Sequence, residues 1–290
     1  MTSTPPVRVV GVHGVGHYNR RRTPEEVRAA QAQDWTRHLT AGLNADPALI
    51  DLDFAYYAPL LNPGPVSQGG GDPEELDDPL ERELMAAWLA ELEAPRAVSQ
   101  GALTLPLRYA ASWVAERLSL DGRLTELFIR VFFREMATYV RADDSSERLA
   151  AREEVAHRVA RHRPRIVIAH SLGSVVAYEA LHAHPECTVE LLVTVGSPLA
   201  LPRAVFDRLS PRPESGAQRR LGTRPPNVER WVNIADPGDP VAIPPRLATF
   251  FQGVTLDLTD TVHAGFGFHH AKNYLACAAM SAVLGPYVGR

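Results

Sequence analysis

Lysine is almost missing from the chain. Of its 30 basic residues, 29 are arginine and Lys272 is the sole lysine. Coding from a GC-rich genome explains this bias, together with the abundant alanine and proline. Cysteine is scarce as well, with only Cys187 and Cys277, far apart in sequence. A small secreted fold stapled by disulfides needs more, so two reduced thiols packed in the interior are expected. Long apolar runs are lacking. The uncharged stretch Tyr274–Gly289 is broken by Gly285-Pro286 and falls short of the roughly 20 residues of a membrane-spanning helix. The start, MTSTPPVRVV, has no basic segment followed by an apolar one. The expectation is a soluble, cytoplasmic protein with no stable membrane insertion. There is no basic stripe, and the formal charge is −4, which argues against nucleic acid as a partner. No repeat with a period of 20–50 residues appears.

What is present is an ordinary globular balance, with 45 % hydrophobic and 22 % charged residues, enough for a buried core. Strand-like and helix-like segments alternate. Val7–Val12 is a short β-branched run that reads as a buried strand. Thr23, Pro24 and Glu26 form a capping box with proline in the first turn, opening a helix to about Leu43. Asp51–Ala58 reads as a second strand. Residues 62–79 are a Gly/Pro/Asp-rich break with a glycine hinge at Gly69–Gly71. From Leu80 to about Val140 the pattern is helical. Leu84, Trp88 and Leu92 recur at period four, as do Leu124, Phe128, Phe132 and Met136. The second stripe predicts a helix face buried against the core, or else a cap lining an acyl pocket. Asp144 with Glu147 suggests another capping box, with a helix reaching Arg161. Then follow a strand at Arg165–Ala169, a helix at Leu172–Ala183 and a strand at Val189–Val195. A Pro- and Arg-rich connection spans 197–227 and carries Arg212, Arg219, Arg220 and Arg224. Strands at Glu229–Ala235 and Gly253–Leu258 and a final helix at Ala271–Leu284 complete the chain.

About six strands alternating with helices predict an α/β fold with a mostly parallel sheet covered on both faces. The expectation is one domain over 1–290, with 62–163 as a helical insertion or cap. In such sheets chemistry gathers beyond the carboxyl ends of the strands, and four motifs sit there. Ala169-His170-Ser171-Leu172-Gly173-Ser174 follows one strand directly and opens a helix. Small neighbours at Ala169 and Gly173 let the backbone turn tightly around Ser171, and the helix aims N–H groups at the site. His13-Gly14-Val15-Gly16 ends the first strand. By itself it would be only a glycine turn. The segment 231–241 (WVNIADPGDPV) offers two carboxylates, Asp236 and Asp239. A serine needs a histidine base, and that histidine needs a carboxylate to fix its tautomer. His263, His269 and His270 precede the final helix.

The serine turn resembles the nucleophile elbow of the α/β-hydrolases, in the AHSLG form of lipase- and esterase-like members. The HGVG segment is similar to their oxyanion loop. Asp239-Pro240-Val241 with Ile243-Pro244 resembles their acid loop, and the spacing from His269 to Tyr274-Leu275 resembles that of bacterial relatives with HGVG and AHSLGS motifs. The resemblance covers about residues 7–58 and 164–285. It implies a serine hydrolase acting on a small-molecule ester or thioester through an acyl-enzyme, with no metal and no cofactor. Ser171 is the implied nucleophile. Asp239 is the preferred acid over Asp236, and His269 the preferred base over His270. The backbone of Val15 and Leu172 would hold the oxyanion. His13, Gly14 and His170 would line the substrate. Acyl transfer, cyclisation or thioester cleavage in a biosynthetic pathway, or amide cleavage, would use the same residues. A non-catalytic binding module is the rival from outside enzymology.

Overall fold

A computed structural model of the chain describes residues 5–62, 76, 78–95, 98, 107–118, 121–216, 219–262 and 269–288. The Gly69–Gly71 hinge and His263 fall outside the described residues. In chain order the elements are β1 (Val7–Val12), α1 (Pro24–Leu43), β2 (Ile50–Ala55), α2 (Ala58–Leu61), α3 (Pro79–Glu91), α4 (Leu107–Leu118), α5 (Gly122–Val140), α6 (Ser146–His162), β3 (Ile166–His170), α7 (Leu172–Ala183) and β4 (Val189–Val195). There follow β5 (Glu214–Ser215), β6 (Arg220–Thr223), β7 (Val228–Ala235), β8 (Phe251–Gln252), β9 (Leu256–Thr259), α8 (Ala271–Leu275) and α9 (Ala278–Leu284).

Six strands form one all-parallel sheet in the order β2-β1-β3-β4-β7-β9. Side chains alternate across a strand, and here the alternation divides the core in two. Val9, Ile166, Ile168, Leu191 and Val193 pack with Trp35 and Leu39 of α1 and with Tyr274 and Met280 near the C-terminal end. Val10, Val167, Ala169 and Leu192 pack on the other face with residues of α3 to α7, among them Trp88, Phe133 and Val155. With both faces covered, β3 is buried along its whole length. Its unbroken apolar run is what a central parallel strand requires. This is the helix-flanked parallel sheet expected of an α/β-hydrolase fold.

Local chemistry sets the helix starts. At α1 the Thr23 side chain accepts from the Glu26 N–H while the Glu26 carboxylate accepts from the Thr23 N–H. Before α6 the cap is Ser145, whose hydroxyl accepts from the Arg148 N–H, and not Asp144. The expected box does not form, because the serine takes the cap position and the third residue after it is Arg148, which has no acceptor to return the bond. The final helix is split. Cys277 caps α9 through its sulfur, and Gly42 of α1 packs against the backbone of Ala276, where a Cβ would lie 2.9 Å from the Ala276 Cα. Cys277 is only half-buried, whereas Cys187 is buried, and both are free thiols. The 197–227 connection contributes β5 and β6, which with β8 make a small second sheet. These pairings are too short for the sequence pattern to announce. Arg212 and Arg220 in this connection pair with Asp143 and Asp207, so neither faces solvent alone.

One buried polar knot ties this connection to the helical face. Arg148 and Glu179, both wholly buried, form a two-pronged ion pair. Glu179 also accepts from the Tyr139 hydroxyl at 2.7 Å and from the Ser210 N–H at 2.9 Å. Arg148 also reaches Asp143 and the Arg208 carbonyl. Among the described residues no helix is long and apolar enough to cross a membrane.

Candidate active site

A parallel sheet brings all strand ends of one polarity to one edge. The loops after β1, β3, β7 and β9 therefore meet, and these loops hold His13, Ser171, Asp239 and His269. Ser171 stands between β3 and α7 with φ 55° and ψ −132°. A non-glycine residue in this region carries strain of order 1–3 kcal/mol and persists only where its surroundings enforce it. The enforcement is visible. The Ser171 N–H donates to the Val195 carbonyl at 3.1 Å, and its carbonyl accepts from the Ser174 hydroxyl at 2.6 Å. Gly173 lies against the first strand's loop, where a Cβ would sit 2.1 Å from the His13 carbonyl oxygen. Gly14 comes as close to the serine, since its absent Cβ would meet the Ser171 Cβ at 2.6 Å.

His269 Nε2 lies 2.7 Å from Ser171 Oγ. Its Nδ1 lies 2.8 and 3.0 Å from the two oxygens of Asp239. Asp239 further accepts from the Tyr274 hydroxyl at 2.7 Å and from the Val241 N–H at 2.9 Å. Burial alone would raise the Asp239 carboxyl, but His269 and these donors outweigh it and hold the group below the ordinary carboxylate range. Trp88 of α3 donates to the Pro240 carbonyl, fixing the loop from the side. All three members of the series are buried.

The other candidates fall into place around this series. Asp236 accepts from the N–H groups of Gly238 and Val262 and so closes its own turn. His270 is exposed and precedes α8. The His13 side chain is fully buried. Its Nδ1–H donates to the Gly14 carbonyl and its Nε2 accepts from the Tyr57 N–H, while burial holds it well below the ordinary imidazole range. That side chain braces the loop and is not presented to a ligand. The Val15 and Leu172 N–H groups take no acceptor among the described residues, and Leu172 is the first residue of α7.

Tyr274, Trp88 and Glu135 are participants to which the sequence motifs assign no role in the site. Glu135 of α5 is buried behind the loop after β1. Both its oxygens lie 3.3 Å from the Gly16 nitrogen, and Asn62 donates to one of them at 3.4 Å. Burial pushes its carboxyl up to about 7, against the pull of these two donors. The folded state thus favours the protonated acid, and its stability falls as pH rises from the ordinary glutamate value through 7. The rise from 4.5 to about 7 corresponds to about 3 kcal/mol at full ionisation. Denaturant unfolding at pH 5 and pH 8 is expected to show this slope in the wild type and to lose it in Glu135→Gln.

A cleft of about 560 Å³ opens beside the series. One wall is apolar, built from Leu124, Leu127, Phe128 and Val131 of α5. The stripe at Leu124, Phe128, Phe132 and Met136 therefore divides: Leu124 is 60 % exposed at the cleft, while Phe132 and Met136 are in the core. The Phe128 ring meets the His269 ring edge-on, with centroids 5.6 Å apart. Opposite lie Gln31, His17, His170 and Lys272. Among the described residues no cluster of three or more His, Cys, Asp or Glu could hold a metal ion.

No protein-family model and no curated protein matches the sequence. Among solved structures, the esterase domain of a Rhodothermus marinus protein aligns over 99 % of this chain and 87 % of its own, at 12 % identity and a TM-score of 0.36. At that degree of likeness, a reading of the site rests on the site's own geometry.

Proposed function

We propose that the protein is a serine hydrolase that cleaves a carboxylic ester or thioester of a small molecule through an acyl-enzyme. The observation that carries this reading is the unbroken hydrogen-bonded series from Ser171 through His269 to Asp239 at the strand ends. Ser171 Oγ attacks the carbonyl while His269 Nε2 takes its proton and then delivers it to the leaving oxygen or sulfur. Asp239 keeps the His269 proton on Nδ1, so that Nε2 faces the serine as a base. Val15 and Leu172 N–H groups meet the developing oxyanion, aided by the positive end of α7. Water, activated by His269, releases the acyl group. In this reading the chain is one domain, and the helical stretch 62–163 supplies the apolar wall for the acyl chain.

The test is covalent labelling with a fluorophosphonate, read by intact mass. One adduct per chain is expected on the wild type and none on Ser171→Ala. Ester turnover in Ser171→Ala is expected to fall by about 10⁶. A folded wild type that stays unlabelled would overturn the reading in favour of a binding module.

A further inference from the structure

His170 is used by nothing in the mechanism above, yet it is 5 % exposed and adjoins the nucleophile. It ends β3, and its side chain leaves on the opposite face from Ala169, toward His269 and Tyr274. Its ring lies over that of His269, with centroids 4.7 Å apart and planes 33° from parallel. Neither ring nitrogen has a hydrogen-bond partner among the described residues. Buried polar side chains are otherwise paired almost throughout globular interiors, and His13, three residues beyond β1's midpoint, has both its nitrogens engaged. His170 also borders the cleft. His170 and Ser171 border the same glycine, since a Cβ at Gly14 would lie 2.6 Å from the Ser171 Cβ and 3.0 Å from His170 Nδ1, so an ester whose carbonyl reaches Ser171 carries its neighbouring atoms toward His170.

We infer that His170 is a specificity determinant, which selects esters carrying an uncharged hydroxyl or amide group within a few bonds of the scissile carbonyl. This rests on the serine-hydrolase reading and narrows its substrate class. The chemistry follows from the form of the ring. Burial, with His269, His17, His270 and His13 nearby, keeps His170 well below the ordinary imidazole range. A neutral imidazole offers one N–H donor and one lone pair. That pairing suits a hydroxyl or amide, which both gives and accepts, and it offers no charge to a carboxylate or phosphate. A plain alkyl ester leaves both nitrogens unpaired in the closed complex. Sites built to hydrogen-bond a substrate group discriminate strongly against analogues without it. The apolar wall of Leu124, Leu127 and Phe128 takes the rest of the acyl chain, so the preferred substrate has one polar and one greasy flank.

The experiment compares kcat/KM for methyl 3-hydroxybutyrate against methyl butyrate, and for 2-hydroxyethyl butyrate against propyl butyrate. In at least one pair the wild type is expected to favour the hydroxylated ester by about 10². His170→Phe, which keeps a ring over His269, is expected to reduce that ratio to near one. His170→Asn, which keeps one donor and one acceptor, is expected to retain most of it. A wild-type ratio near one in both pairs overturns the inference. So does a preference that survives in His170→Phe, or a loss in that variant that is equal for both members of a pair. An enzyme labelled by fluorophosphonate at Ser171 that turns over none of the four esters also overturns it. Absence of labelling would instead sink the hydrolase reading itself, and the two failures are thereby told apart.

Discussion

Replacing Asp239 with asparagine is expected to lower kcat by about 10⁴ while the protein stays folded. The reason lies in the hydrogen-bond count. One carboxylate oxygen accepts from Val241 N–H and His269 Nδ1, and the other from Tyr274 O–H and His269 Nδ1. An asparagine must turn its NH₂ toward one of these. The Val241 N–H cannot reverse, so the carbonyl oxygen stays with it and the NH₂ faces Tyr274 and His269. His269 then satisfies the new donor by moving its proton to Nε2, which points a hydrogen at Ser171 and removes the base. A triad aspartate changed to asparagine elsewhere costs about this much for the same reason of tautomer. Asp236→Asn is the control. It weakens a turn bond to Gly238 or Val262 and is expected to change kcat by less than about tenfold, because hydrogen bonds of that kind contribute about 1 kcal/mol. Steady-state kinetics on both variants check the pair. The reverse pattern would move the acid role to Asp236.

The second large effect is on stability. Glu179→Ala is expected to cost about 3–5 kcal/mol, because it leaves the buried Arg148 guanidinium with only the half-exposed Asp143 as counter-charge. Whole domains are stable by only about 5–15 kcal/mol, so the loss is a large share. The double change Glu179→Leu with Arg148→Met removes both charges and is expected to recover part of the deficit. It does not recover all of it, since the Tyr139 hydroxyl and the Ser210 N–H lose their acceptor at about 1–3 kcal/mol each. Urea unfolding of Glu179→Leu, Arg148→Met and the double variant gives the coupling. A Glu179→Ala protein as stable as wild type would show that the knot holds nothing.

The parts of this molecule that its sequence discloses are those governed by neighbours in the chain. The turn at Ser171 is announced by a β-branched strand, small residues on either side and a helical run, all within about twenty positions. The capping box of α1 needs only four. The central strands could be set out because they are continuously apolar, and the edge strands β2 and β9 because apolar residues alternate with acidic ones. Choices decided across space were less legible. Asp236 and Asp239 share one loop, and His269 and His270 are adjacent. Only packing decides that Asp239 meets His269 while Asp236 closes a turn. The stripe on α5 was read as one surface, but the helix runs past the edge of the core, so its first turns face the cleft. Glu135 had left a trace that went unused: an acidic residue between Phe132, Phe133 and Met136, on the face of the helix meant for burial. Tyr274 had left none beyond its spacing from His269.

The site's parts are scattered along the chain, and this has a consequence for the life of the protein before it is finished. Ser171 and His269 are 98 residues apart, and His269 and Asp239 are 30 apart. A chain leaving the ribosome carries Ser171 long before His269. In the hydrolase reading, Ser171 is an ordinary alcohol until His269 has reached it. On that reading the nascent polypeptide would be inert toward acyl compounds, with reactivity appearing only once the segment carrying His269 has folded.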